Sequence, residues 1–375
     1  MNSGLTIVIP SYNMATWLPT AIESCLDQTC RDIEVLIVDD GSTDATGRIA
    51  DHYAGLDDRI RVVHQENAGL GPARAKGQEL ANKKYLHFLD ADDALSRDAA
   101  AVLVGKAEED GADLVSGNAI VFSDRTGNTR NYFPHPEASN LVFRDAPRYW
   151  KSKVVWRWIF RTEFVRENEL KHLPFRMGQD VLFMYEALTR AKSFSQTSRQ
   201  IYYFRQEHKS ADLSLDTYVN HLIAHYLEAK RILLDAAMPA PLVKYLNENY
   251  FRDMRRLIPT LTDADEWARK KVIADSLSLF DSLPEEFFTE DPFKMGINPE
   301  ALPLFLALIR KDLEAVDAEL TRREQAGAVK DVNKFTLFHT VRRRIKSMLR
   351  PMSIAVRGRL RDLEGRARVN MRDFD

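Results

Sequence analysis

Along the first third of the chain, short apolar runs alternate with stretches of helical spacing. Leu5-Thr-Ile-Val-Ile9 is β-branched and ends at Pro10, and Ile33-Glu-Val-Leu-Ile-Val38 ends at Asp39-Asp40-Gly41. Arg61-Val-Val63 and Tyr85-Leu-His-Phe-Leu89 are weaker members of the same set. Near-continuous apolar strands of this length suit a parallel sheet covered on both faces. Between them, Leu18, Ile22, Cys25 and Leu26 mark one face of a helix. Ser42 and Asp44 offer capping oxygens to the next helix, and Pro72 fits the first turn of a third. The pattern predicts a doubly wound α/β domain, a Rossmann-like and mostly parallel sheet with helices on both faces. From about Asp216 the spacing turns helical, over Thr217 to Leu234, Ala240 to Leu257 and Ala301 to Thr321. The predicted organisation is a catalytic-type α/β domain over 1–215, a helical region over 216–329 and a basic tail over 330–375.

Composition narrows the class. With 45% hydrophobic and 29% charged residues in 375, the chain is an ordinary globular protein, not a disordered, collagen-like or disulfide-stapled one. Its longest apolar stretch, Leu302 to Ile309, falls far short of the ~20 residues that span a bilayer. No basic region or apolar signal core precedes the first strand, and the two cysteines, Cys25 and Cys30, fit no metal or disulfide framework. A cytoplasmic location is the expectation. The net charge of −2 conceals an asymmetry, because residues 330–375 hold 13 Lys/Arg against 5 Asp/Glu. That tail carries +8 and the body −10, which does not suit a nucleic-acid protein. Phe335, Phe338, Val341, Ile345, Met348, Leu349 and Met352 share a helical stripe, with Lys334, Arg342, Arg343, Arg344, Lys346 and Arg350 around it. Such a helix fits peripheral contact with an anionic membrane face, or packing on the acidic body or a partner chain.

The candidate chemistry lies where the strands end. Pro10-Ser-Tyr-Asn13, Asp39-Asp-Gly-Ser42 and Asp90-Ala-Asp-Asp93 all follow parallel strands. Ligands bind at that edge of an open parallel sheet, so the loops should converge on one crevice. Asp90, Asp92 and Asp93 offer hard oxygens suited to Mg²⁺ or Mn²⁺ with positions left for phosphate, or else they cap the next helix. Asp39 and Asp40 can accept a hydrogen bond from a nucleobase or ribose, or can serve a turn and an N-cap. Gly69-Leu-Gly71 fails as a dinucleotide fingerprint, since Arg74 stands at the third glycine position and the run follows the third strand. Arg74 better suits a diphosphate or base contact. Trp150, Trp156, Arg157 and Trp158 form either a stacking platform for sugar or core, with Trp156 and Phe160 four apart on a helix.

These pieces stand in the order and spacing of one family. Val8-Ile-Pro10-Ser-Tyr12-Asn13, Gln28-Thr29, Glu34 to Asp44, Asn67-Ala-Gly69 with Ala73-Arg74, and Phe88-Leu-Asp90-Ala-Asp92-Asp93 resemble the family two glycosyltransferases of the GT-A fold. The resemblance covers Gly4 to about Ser214. It implies transfer of a sugar from a nucleotide-sugar, most often a UDP-sugar, to a hydroxyl of a glycan or lipid-linked acceptor. By similarity, Pro10, Tyr12 and Asn13 belong to the nucleotide site, Asp40 binds uracil with Asp39 beside it, and Arg74 contacts the nucleotide. Asp90 faces the donor ribose or sugar, Asp92 holds the Mn²⁺ or Mg²⁺, and Asp93 touches the sugar or caps a helix. Gly178-Gln179-Asp180-Val-Leu-Phe183 is similar to the family's Glu-Asp-x-x-Phe, with Gln179 where Glu is usual, and makes Asp180 the general base. The bare alternative is that Asp180 caps the helix running to Arg190. Tyr202 to Ser214 is similar to the segment closing the donor site, where Arg205 can contact phosphate and His208 can complete the metal shell or touch the diphosphate, the bare alternative being a solvated histidine in a polar loop. Trp156 and Trp158 are the candidate acceptor contacts.

The resemblance therefore implies a metal-dependent, inverting glycosyltransferase of surface polysaccharide or lipid-linked glycan synthesis, at the inner face of the cell membrane. The helical region would cover the acceptor side or form a dimer surface. A nucleotidyltransferase would need a Gly-rich phosphate loop after the first strand, which Pro10-Ser-Tyr-Asn13 is not. A degenerate nucleotide-sugar-binding scaffold is the other alternative, and intact Asp40, Asp92 and Asp180 argue against it.

Overall fold

The computed structural model describes residues 4–126, 128–132, 134–151, 153–176, 178–206, 218–250, 302–325, 350–351, 358–360 and 362–363. The four predicted parallel strands form as β1 (Leu5–Ser11), β2 (Ile33–Asp39), β3 (Ile60–His64) and β4 (Tyr85–Phe88). Helices α1 (Leu18–Leu26), α2 (Thr46–Ala54) and α3 (Leu70–Leu80) connect them. Every residue of β1 and β2 is buried, as their two-sided apolar pattern requires. Asp44 does serve α2, its Oδ1 accepting the Thr46 backbone N–H at 2.9 Å.

Beyond β4 the sheet changes direction. Strand β5 (Ala94–Leu95) and helix α4 (Ala99–Asp110) lead into β6 (Leu114–Phe122), β7 (Asn128–Tyr132) and β8 (Ala138–Leu141). Then follow β9 (Trp158–Arg161), α5 (Thr162–Glu167), α6 (Gln179–Arg190) and β10 (Phe194–Arg205). The sheet runs β11-β7-β6-β9-β4-β1-β2-β3, where β11 is Arg350–Pro351, and β10 pairs with β5, β6 and β8. β9 lies antiparallel between β4 and β6, so a parallel half and a mixed half share one sheet. Trp156 and Phe160 are not on a helix: Trp156 lies in a 3₁₀ turn and Phe160 in β9.

The chain divides into two compact units, Met1–Ser210 with Leu349–Asp375, and Ala211–Met348. The last part of the chain thus returns to the first unit. There Leu360 and Leu363 are buried with Ala94 and Phe122, and Arg359 forms an ion pair with Asp27. In the second unit Tyr218–Ile223 is a π-helical turn continuing into a helix over Ala224–Asp235, and 240–250 is helical. The helix predicted from Ala301 to Thr321 is two, Leu302–Arg310 and Leu313–Gln325, broken at Lys311 with φ +58°. The whole tail stripe, Phe335 to Leu349 and Met352, lies outside the described residues.

Candidate active site

Register places the loops after the parallel strands along one edge. Ser11 pairs with Asp39 and Asp39 with His64, while the Leu89 N–H donates to the Val8 carbonyl at 2.9 Å. Asn13 joins two of these loops. Its Oδ1 accepts the Thr43 N–H at 2.8 Å, and its own N–H donates to the Ser42 hydroxyl at 3.0 Å. Pro10 is buried at the strand end, whereas Tyr12 is 44% exposed and presents its ring at the edge.

Asp39 and Asp40 are both buried and both bonded. Asp40 accepts from the Gln65 side chain at 2.7 Å and from the N–H groups of Ala68 and Gly69 at 2.9 and 2.8 Å. Asp39 accepts the Ser42 N–H at 3.1 Å and pairs with His64 at 2.9 Å. An ionised carboxylate has about four lone-pair positions. Three are in use on Asp40 and two on Asp39, so Asp40 can accept one more bond and Asp39 two.

At the centre sits an ion triad that no single sequence segment contains. Arg74 is 1% exposed, and its guanidinium joins Asp90 at 2.6 Å and Asp180 by a short second contact. The other Asp180 oxygen accepts the Val155 N–H at 3.3 Å. The carboxylate of Asp180 therefore turns to Arg74, and no side-chain cap bond forms at the start of α6. Burial pushes the Asp180 carboxyl above the usual carboxylate range, with Arg74 pulling the other way. The two carboxylates hold Arg74 protonated despite its burial. Gly71 lets the Asp180 loop come this close to α3, because a Cβ there would lie 2.2 Å from the Leu173 carbonyl oxygen.

The three aspartates after β4 part company. Asp90 faces Arg74, and its side chain remains 25% exposed. Asp92 is half-buried at the turn. Asp93 turns inward, accepting the Tyr202 hydroxyl at 2.7 Å and the Arg205 N–H at 2.7 Å. It does not cap α4, whose N-cap is Asp98, and at 1% exposed it faces the interior. Its role is to bind β10 to the turn. Arg205 is also buried: 2% exposed, it lies over the Trp17 and Phe122 rings, forms an ion pair with Asp124 and donates Nε–H to the Asp92 carbonyl at 2.8 Å.

The tryptophan platform is also corrected. Trp156 is 4% exposed and stacks on Tyr202, ring centroids 4.4 Å apart, and Trp158 is 0% exposed against Phe194. Neither offers a face to a sugar, and core packing accounts for both. His208 lies outside the described residues. Among the described residues no three or more His, Cys, Asp or Glu side chains gather into a metal-holding group. A partly exposed Asp92 still fits Mg²⁺ or Mn²⁺ use of the kind in which one or two carboxylates and substrate phosphates share the ion.

Comparison with known proteins gives the family. Residues 6–190 match the model of glycosyl transferase family 2. The chain is 30% identical over 264 residues to the Escherichia coli (strain K12) uncharacterized glycosyltransferase YibD, covering 66% of this chain and 72% of that protein. It belongs to glycosyl transferase family 2. Another relative of the family, the uncharacterized glycosyltransferase EpsJ of Bacillus subtilis (strain 168), is 32% identical over 216 residues, 55% of this chain and 62% of that one. The match thus spans about three fifths of EpsJ. The crystal structure of S. aureus TarS 1-349 in complex with UDP-GlcNAc superposes with a TM-score of 0.65 at 18% identity, over 86% of this chain and 92% of that one. At that identity the likeness is one of fold, and the fold is GT-A.

Two features escaped sequence reading. His64 had no visible signal beyond its place at the end of a strand. The Val155 N–H is a backbone donor, and its proximity to Asp180 is set by packing alone.

Proposed function

We propose that this glycosyltransferase moves a sugar from a UDP-sugar to a hydroxyl of a growing surface polysaccharide or lipid-linked glycan, with inversion at the anomeric carbon. The observation that carries the reading is the Asp90–Arg74–Asp180 assembly, a buried cation joining a donor-side carboxylate to a candidate base. A uridine donor is supported by TarS, a protein of the same fold whose crystal structure is of its complex with UDP-GlcNAc. Tyr12 would cover the base, Asp39 and Asp40 would accept from it with their remaining lone pairs, and Asp92 would hold Mg²⁺ or Mn²⁺. When bound, such a cation supplies charge stabilisation to the departing diphosphate.

In the transfer step Asp180 takes the proton of the acceptor hydroxyl as its oxygen attacks the anomeric carbon. The bond from that carbon to the diphosphate oxygen breaks on the opposite face, and the electron pair leaves with the nucleotide. Burial makes Asp180 a stronger proton acceptor than a surface carboxylate, and Arg74 keeps it aligned. The same proposal includes peripheral contact of the basic tail with an anionic inner membrane face. Among the described residues no helix is long and apolar enough to cross a membrane.

Asp180→Asn tests the assignment. Donor binding, followed by thermal shift against a nucleotide-sugar panel with Mn²⁺, should survive, while transfer falls by ~10²-fold or more. Near wild-type transfer would move the base elsewhere. A product that retains the donor's anomeric configuration would overturn the inverting route.

A further inference from the structure

His64 ends β3 beside the nucleotide edge, and the transfer step makes no use of it. Its two ring nitrogens face two carboxylates. Nδ1 lies 2.9 Å from Asp39 Oδ2, and Nε2 lies 3.0 Å from Asp51 Oδ1 on α2. Helix α2 is pressed onto this pair: a Cβ on Gly47 would stand 2.7 Å from Asp39 Oδ2 and 3.4 Å from His64 Cε1. Asp39 in turn holds the Ser42 N–H, and Ser42 and Thr43 hold Asn13. An unbroken run of hydrogen bonds thus leads from α2 through His64 to the β2 loop and, through Asn13, to the β1 loop that carries Tyr12.

We propose that His64 is a positioning residue for the nucleotide: as an imidazolium it fixes Asp39, and through Asp39 the β1 and β2 loops that receive the base. This rests on the reading of that edge as the nucleotide site. Only the imidazolium can donate to both carboxylates at once, since the neutral ring carries one N–H. Asp39 and Asp51 both push the His64 pKa above the usual histidine range, with burial opposing them. The Asp39 side chain is 7% exposed and the Asp51 side chain 60%. The buried bond therefore sets the geometry, and the exposed one, screened by water, chiefly adjusts the charge. As pH rises through the raised pKa, the ring loses one donor and its charge, Asp39 is left without a cation, and the loops loosen.

The test measures UDP affinity by calorimetry, with Mn²⁺, on the full chain from about pH 6 to about pH 9. His64→Gln serves as the pH-silent control that subtracts titration of the ligand itself. Relative to it, wild-type affinity should fall by about threefold to tenfold across the range, the net worth of about one ordinary hydrogen bond. Asp51→Asn should move the decline to lower pH without changing affinity at the acidic end. His64→Ala should raise the donor KM while kcat at saturating donor stays within about twofold, and His64→Gln should recover part of the KM, because its amide can still donate to Asp39. Parallel pH profiles of wild type and His64→Gln would overturn the proposal, as would an Asp51→Asn curve that does not move. Absence of UDP binding by the wild type at every pH would overturn the nucleotide reading itself and this role with it.

Discussion

At the scale of single residues the decisive arrangement is Arg74 between Asp90 and Asp180. A guanidinium presents several N–H donors in a rigid fork, so one side chain can hold two carboxylates. Lysine keeps the charge but concentrates it at one point. Arg74→Lys should therefore fold, yet fail to hold both partners, whereas Arg74→Met leaves two partly buried carboxylates without their cation and costs ~1–3 kcal/mol. The effect on catalysis has a definite sign. Arg74 lowers the Asp180 pKa against the upward push of burial, so weakening that contact raises it further. The base then stays protonated to higher pH, and the acid limb of the pH–rate profile moves up in Arg74→Lys. A limb that stays in place would show that Arg74 does not tune Asp180.

At the scale of elements, β1 and β2 were legible because their runs are apolar on both faces, and every residue of each is buried. β3 and β4 are shorter and weaker runs, legible from their place in the alternation with helical stretches. The mixed half of the sheet was not legible. Trp156 and Phe160 stand four apart, a spacing that puts side chains on one side of a helix and equally of a strand, and the strand pairing of β9 with β4 and β6 decides. Lys311 gives no sign of a break in an otherwise helical run, since the left-handed turn there is imposed by how two helices fold back. The carboxylates of the site could be read as acidic loops, but not which way each points; Asp93 turns inward only because Tyr202 and Arg205, over a hundred residues on, are there to receive it.

Within β2 a single charge, visible in the sequence, bears on stability. Glu34 interrupts the strand with a 6% exposed carboxylate. Burial alone would raise its pKa, but bonds from Thr6 at 2.7 Å, from Arg61 at 2.5 Å and from the Asn82 N–H at 3.1 Å together lower it. A depressed carboxylate contributes stability above its unfolded pKa and loses it as pH falls through the folded one. Thermal unfolding should accordingly show a loss below the ordinary carboxylate range that Glu34→Gln removes. That variant should be less stable at neutral pH by ~1–3 kcal/mol.

At the scale of the whole molecule, the chain's order in sequence is not its order in space. The sequence pattern sets a basic tail apart from the catalytic domain, but the first compact unit includes Leu349–Asp375. β11 pairs with β7 at the sheet edge, Leu360 and Leu363 are 4% and 0% exposed against Ala94 and Phe122, and Arg359 meets Asp27. Phe122 also lies 4.7 Å beneath the Arg205 guanidinium, whose Nε–H holds the Asp92 carbonyl. The end of the chain thus supports, through two side chains, the turn on which metal binding is proposed. Leu363→Ala should lower stability by ~2–5 kcal/mol, the cost of a buried leucine and its cavity, read as a reduced midpoint in thermal unfolding. Ending the chain at Met348 should cost at least as much and weaken the Mn²⁺ dependence of UDP binding, because Phe122 loses its cover. Asp27→Asn, which spares the apolar contacts, should have the smaller effect. If the shortened chain unfolds at the wild-type midpoint and binds UDP with unchanged Mn²⁺ dependence, the returning segment is dispensable to the catalytic unit.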